Sequence, residues 1–240
     1  GHSFPTRRSS DLTRLTSYTL VLTPYLFYLK HASHRRIFQN QTTTQIISQV
    51  LKENGMFSGL HVEFKTGALP MAEREYCVQY DETDLHFIQR LCEEDGRWFY
   101  FEHAPEGHRM IFGDDEILFH KKPALVLPHV PVNGMVPEGP AINDFGLRVI
   151  ARTSDVVSRD YDFQQSHVQL EAAKDSSLAP HMQDYVYPGN FTDESGGRER
   201  VKRLLERHRT DYQLAQGATN QPLLRSGSVL QVEGHSDPDW

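Results

Sequence analysis

Apolar residues recur along this chain at two different periods, and the change from one to the other divides it. In residues 80–103, YDETDLHFIQRLCEEDGRWFYFEH, Leu85, Ile88, Leu91 and Cys92 fall at helical spacing and form one apolar stripe. Gln89, Arg90, Glu93 and Glu94 occupy the positions expected to be exposed. Thr83 or Asp84 is placed to cap this helix by accepting hydrogen bonds from its first free N–H groups. Gly96 is placed to end it in the left-handed conformation. The aromatic run Trp98, Phe99, Tyr100, Phe101 then suits a strand. Burying three aliphatic side chains contributes about 1.5–3 kcal/mol each, so the helix is expected to belong to a core.

The flanking pattern is similar in kind. Residues 42–54 predict a first helix, with capping-box spacing at Thr42 and Gln45, a face of Ile46, Ile47, Val50 and Leu51, and a stop at Asn54-Gly55. Leu60, Val62 and Phe64 alternate with His61 and Glu63 as in a half-buried strand. A loop at 67–70 and a short strand at 76–80 lead into the central helix. Segments 97–102 and 109–112 predict a hairpin whose loop, 104–108, carries Pro105 and Gly107. Upstream, 15–29 reads as extended with Pro24 at a bend or edge, and 30–40 as a polar connector.

Prolines at 123, 128, 131, 137 and 140 exclude a helix from 121–140, which reads as an extended connection with a short edge strand near 125–130. From residue 142 the pattern becomes β, with strands expected at 145–152, 161–170 and 184–191, the last ended by Pro188-Gly189. Residues 194–217 predict a long helix with Val201, Leu204, Leu205 and His208 on one face. Its charged positions 198, 199, 200, 203, 206, 207 and 209 read as a solvated face. A last strand or hairpin is expected at 223–233, around Ser226-Gly227.

The fold class expected is therefore α+β: an antiparallel β-barrel with a long inserted helix, plus a small α+β module. The division expected is 13–40 as a partial strand and linker, 41–120 as the module, 121–140 as the connection, and 141–240 as the barrel region with its inserted helix at 194–217 and an incomplete C-terminal edge. Residues 1–12 stand apart. The segment 3–12, SFPTRRSSDL, has no apolar period and resembles the translation of a sequencing adapter, so it is expected to be non-native, together with Gly1 and His2.

Composition narrows the function classes. A net charge of −7 argues against a nucleic-acid binder, which normally carries a basic stripe. With 240 residues and 38% apolar content the chain can bury a real core. Two cysteines, Cys77 and Cys92, give no disulfide framework and fit a reducing compartment. The longest apolar run, 18–29, is broken by Pro24 and is too short for the ~20 residues of a membrane span. No charged stretch followed by an apolar segment and cleavage site marks a secretory signal.

Candidate chemistry is sparse. The chain lacks G-x-S-x-G, the P-loop pattern, H-E-x-x-H and C-x-x-C. His31 and His34 have metal-pair spacing but lack further ligands. The clusters Asp81, Glu82, Asp84 and Asp114, Asp115, Glu116 lack the calcium-loop spacing and fit helix-start and loop positions. Glu102, His103 and His108 make the best metal constellation, though an exposed hairpin end explains them as well. Residues 98–101 offer either a stacking platform or core. No catalytic, cofactor-binding or metal residue is assigned, and no cofactor.

The central motif also carries a family resemblance. Gln79, Tyr80, Glu82, Thr83, Asp84, Phe87, Arg90, Leu91, Glu93, Glu94 and Gly96, followed by Phe101, Glu102 and His103, resemble the hub region of VgrG proteins, the tip components of type VI secretion systems. Residues 18–51, and more weakly the Arg200-rich helix and 223–235, resemble the same family in the same order. The resemblance implies β-barrel tube domains, a homotrimer with pseudo-sixfold symmetry, and docking on the hexameric tube protein Hcp. It further implies assembly in the bacterial cytoplasm, translocation by sheath contraction, and effectors or adaptors bound through regions outside this chain. It implies structural machinery and no enzyme. Hcp contacts in that family follow surface geometry, so no contact residue is carried over. Competing readings are a prophage tail baseplate hub, a metal-dependent hydrolase built from the scattered His, Asp and Glu, and a soluble adaptor of a tube protein.

Overall fold

The computed structural model describes residues 18–67, 72–115, 117, 120–131 and 139–235. The adapter-like segment 3–12, most of the 67–70 loop, Glu116, Pro137 and the last five residues lie outside the described part.

Local capping sets the first two helices. Ahead of α1 (Thr43–Glu53), the Thr42 hydroxyl accepts from the Gln45 N–H at 3.3 Å while the Gln45 side-chain oxygen accepts from the Thr42 N–H at 2.8 Å. Its Ile46, Ile47, Val50 and Leu51 are all buried. Thr83 caps α2 (Asp84–Asp95) by accepting from the His86 N–H at 3.2 Å, and Gly96 closes it at φ 66°. The buried face of α2 is Phe87, Ile88, Leu91 and Cys92, with Leu85 only half-buried. Phe87, absent from the expected stripe, stacks on Phe38 with ring centroids 5.6 Å apart.

The polar connector expected at 30–40 is a strand. β1 (Ser33–Thr42) pairs antiparallel with β3 (Glu73–Thr83), from Ser33↔Thr83 to Thr42↔Glu73. Only Phe38 of β1 is buried, so the strand is held by its ladder and shows no alternation to read. Upstream, the expected extended run contains a 3-10 helix at Tyr25–His31, which buries Leu26 and Leu29 at the three-residue spacing of that helix. β2 (Val62–Lys65), β4 (Trp98–Ala104) and β5 (Gly107–Gly113) form a sheet of order β2-β5-β4. The hairpin forms as expected, with a tighter turn at Pro105 and Glu106. Leu26, Leu29 and Phe38 join these elements in one apolar cluster that runs to Phe112.

The second half departs further from expectation. β6 (His120–Pro128) covers the edge strand expected in the proline-rich stretch, and β7 (Ile142–Val149) begins three residues ahead of the expected 145–152. No strand spans 161–170. β8 (Asp155–Asp160) precedes that segment and β9 (Leu170–Asp175) follows it. Asp160 and Asp162 alternate with Tyr161 and Phe163 as in a strand, but their carboxylates serve the backbone locally. Asp160 accepts from the Tyr161 N–H at 2.7 Å and Asp162 from the Gln164 N–H at 2.8 Å, which makes turns. β10 (Gln183–Val186) is shorter than the expected 184–191. The long helix ends early: α3 (Glu194–Arg209) gives way to β11 (Gln213–Thr219), which pairs with β7. Gly217 permits that pairing, since a Cβ there would lie 2.7 Å from the Asp144 carbonyl oxygen. β12 (Ser228–Glu233) completes the chain's described elements.

The fold is α+β, but not all its pairings are antiparallel: β10 on β8, β12 on β6 and β2 on β5 run parallel. Among the described residues the ladders form five sheets of two or three strands, and none closes a ring. A second apolar cluster comprises Val156, Leu170, Ala172, Phe191, Val201 and Leu205, where α3 lies on β8 and β9.

Candidate functional site

Both ends of α2 gather charged side chains. At its start, the Asp84 carboxylate has 0% exposure. It accepts from Arg36 Nη1 and Gln79 Nε2 at 2.7 Å each, from Asn54 Nδ2 at 2.9 Å, and lies 3.0 Å from His34 Nδ1. Burial pushes this carboxyl up, but the bonds from Arg36, Gln79, Asn54 and His34 outweigh it and hold it below the usual range. Three separate segments, β1, the end of α1 and β3, are thereby tied to one residue.

At its end, α2 carries Glu93, Glu94 and Asp95 with no basic residue in the last turn. Negative charge there opposes the helix dipole, so cations must come from elsewhere. Arg74 of β3 binds Glu94 at 2.6 Å and Asp95 at 2.7 Å. Arg90 binds Glu94 at 3.0 Å and Glu82 at 2.6 Å. Arg97 lies 3.9 Å from Asp95, and further cations come from α3. Arg203 Nη1 donates to the Asp95 carbonyl at 2.9 Å, and Arg207 Nε lies 3.0 Å from Glu93 Oε2. Burial pulls the Arg200 guanidinium below its ordinary value, with Glu94 and Asp95 opposing and Arg74 and Arg203 reinforcing. Burial likewise raises the Glu94 carboxyl, but Arg74, Arg200 and Arg90 more than offset it. Positions 200, 203 and 207 share one helix face. The face expected to be solvated is thus partly a docking face. The signal for it was the uncompensated acidic end of α2, not anything within α3.

The other candidate residues do not converge. Asp81 is exposed, 3.7 Å from Arg35, and Glu82 is engaged by Arg90 and by His86 at 2.8 Å. Asp114 accepts from the Gly67 N–H at 3.0 Å and lies 3.7 Å from Arg97, while Asp115 accepts from the Ile117 N–H. His31 ends the 3-10 helix, and His34 turns to Asp84. His103 and His108 stand opposite each other in the β4–β5 ladder with rings 6.2 Å apart. They line a cleft of about 760 Å³ with Glu102 and, among others, Tyr25, Arg109 and Arg225. Among the described residues, no three His, Cys, Asp or Glu side chains stand where they could hold one metal ion. Residues 98–101 do not present one aromatic face: Phe99 and Phe101 pack on the first core, and Tyr100 is buried. Cys77 and Cys92 are buried free thiols, and burial raises both, Cys92 to about 12. No helix of the described part is long and apolar enough to cross a membrane.

Comparison with known proteins places this architecture. The family described as phage tail baseplate hub (GPD) matches residues 3–240. The type VI secretion system spike protein VgrG4b of Pseudomonas aeruginosa is 44% identical over 95% of this chain, which spans 28% of that protein. The actin cross-linking toxin VgrG1 of Vibrio cholerae is 31% identical over 94% of this chain, which spans 21% of that protein. In fold, the chain is similar to the E. coli c3393 protein, a type VI secretion component with structural similarity to phage T4 tail proteins, at TM-score 0.60 and 20% identity over 89% of this chain and 44% of that one. It is also similar to a 43 kDa prophage MuSo2 tail protein from Shewanella oneidensis, at TM-score 0.56 and 16% identity, covering 87% of this chain and 62% of that one.

Proposed function

Because the chain belongs to the phage tail baseplate hub (GPD) family, we propose that it is a hub region of a type VI secretion spike. In this reading it trimerises, docks on the hexameric Hcp tube and is translocated with the tube on contraction. The observation that carries the reading is the 44% identity to a spike protein across 95% of this chain. The prophage-tail reading shares the family and the fold, but its solved likenesses stand at 16% identity or less. The hydrolase reading gains nothing from the geometry, since the scattered histidines and carboxylates are engaged in separate pairs.

The role proposed is mechanical and not enzymatic: α2 with its caps and charge networks ties β1, β3 and the end of α1 together and carries the contact to α3. Residues 41–120 and 141–240 are proposed as its two working units, joined through 121–140. The test is native mass spectrometry of the longer protein carrying this region, alone and with Hcp. A trimer that captures the Hcp ring is expected. A monomer that ignores Hcp, from a protein shown to be folded by circular dichroism, would overturn the reading.

A further inference from the structure

The two apolar clusters share no residue. One runs from Leu26 to Phe112 and the other from Val156 to Leu205. Where α3 meets α2, the contacts on each side are polar: Arg203 to the Asp95 carbonyl, Arg207 to Glu93, and Arg200 facing Glu94 and Asp95. Arg207 and Glu93 keep 54% and 53% of their side chains exposed. Among the described residues the buried Nε atoms of Arg200 and Arg203 meet no hydrogen-bond partner, so the fit of this face is incomplete. The two halves also touch at Gly227, where a Cβ would sit 3.1 Å from the Tyr100 ring. There bare backbone lies against a flat ring.

We propose that the α2–α3 joint is an electrostatic hinge: ionic strength sets whether α3 and the second core sit closed on α2 or swing away about the Gly227–Tyr100 contact. The Arg207–Glu93 pair, half exposed on both sides, is screened as salt rises, the screening length falling from about 10 Å at 0.1 M to about 3 Å at 1 M. An apolar joint would respond in the opposite sense, because salts that are excluded from the surface tighten apolar burial. The direction of the salt response therefore separates the two kinds of joint. The carboxylates facing Arg200 are Glu94 and Asp95 of α2, and the cations sharing that space are Arg74 of β3 and Arg203 of α3. Either core persists as the joint opens, since neither contributes an apolar residue to the other.

The experiment attaches spin labels at Lys52→Cys on α1 and Glu206→Cys on α3, both exposed positions, in the full chain. Native Cys77 and Cys92 are buried and react slowly. Pulsed dipolar spectroscopy then follows the label–label distance as sodium chloride rises from about 0.05 to about 1 M. A second, longer distance is expected to grow in, the open-to-closed ratio rising up to about fivefold. Arg203→Ala with Arg207→Ala should show the long distance already at low salt. The charge swap Glu93→Arg with Arg207→Glu should restore the short one. One unchanged distance at all salts and in the double variant, or a distance that shortens with salt, would overturn the hinge.

Discussion

The two ends of α2 are both built on carboxylates, yet they solve different problems. At the start, one buried carboxylate, Asp84, satisfies donors from Arg36, Asn54, Gln79 and His34 inside a single core. At the end, Glu93, Glu94 and Asp95 are shared between that core and the arginines of α3. A buried charge with every lone pair engaged fixes one arrangement, because losing any donor leaves a costly unpaired group. A half-exposed charge exchanges protein for solvent partners at little cost. The same residue types thus give a rigid anchor at one end and a yielding contact at the other.

The largest test of this contrast strikes what lies between. Leu91 has no exposed surface, so Leu91→Asp buries an unpaired charge and is expected to cost at least 3 to 5 kcal/mol, roughly the cost of stranding a buried ion. Urea unfolding followed by tryptophan fluorescence measures it, and an unchanged midpoint would show that α2 is not the core.

Next in size is Asp84→Ala, with an expected loss of about 3 kcal/mol for the donors left unpaired. The anchor also has a pH signature. Its pKa in the folded chain lies below the ordinary carboxylate value, so its contribution is full above that ordinary value and is lost as pH falls through the lowered one. Acid titration of melting temperature should show this loss below about pH 4, and Asp84→Ala should flatten it. Equal acid slopes in both proteins would place the anchor elsewhere.

Smallest is Arg207→Ala at the yielding end. The exposed pair is worth about 0.2–1 kcal/mol, and the difference from the unaltered chain should vanish near 1 M salt. A loss as large as that of Asp84→Ala, unaffected by salt, would erase the distinction between the two ends.

How far the chain could be read in advance follows the range of the forces. Both ends of α1 and α2 were legible, because a cap links residues three or four apart: Thr42 with Gln45, Thr83 with His86, Gly96 with Cys92. The hairpin at Pro105 was legible for the same reason. β1 was not, since a strand of mostly exposed polar residues carries no period of its own. The aspartates near residue 161 imitated strand alternation while making turns. Helical pattern alone also ran past Arg209, where pairing with β7 takes over.

What the sequence by itself determined is the identity and the ends of the elements around α2, the two separate apolar faces, and the family resemblance carried by that motif. Only the tertiary structure decided what the charges do. Asp84 meets His34 across 50 positions, and Arg203 reaches Asp95 across 108. Local pattern records which side chains are polar, whereas whether a charge is solvated, buried or paired depends on which distant segment packs over it.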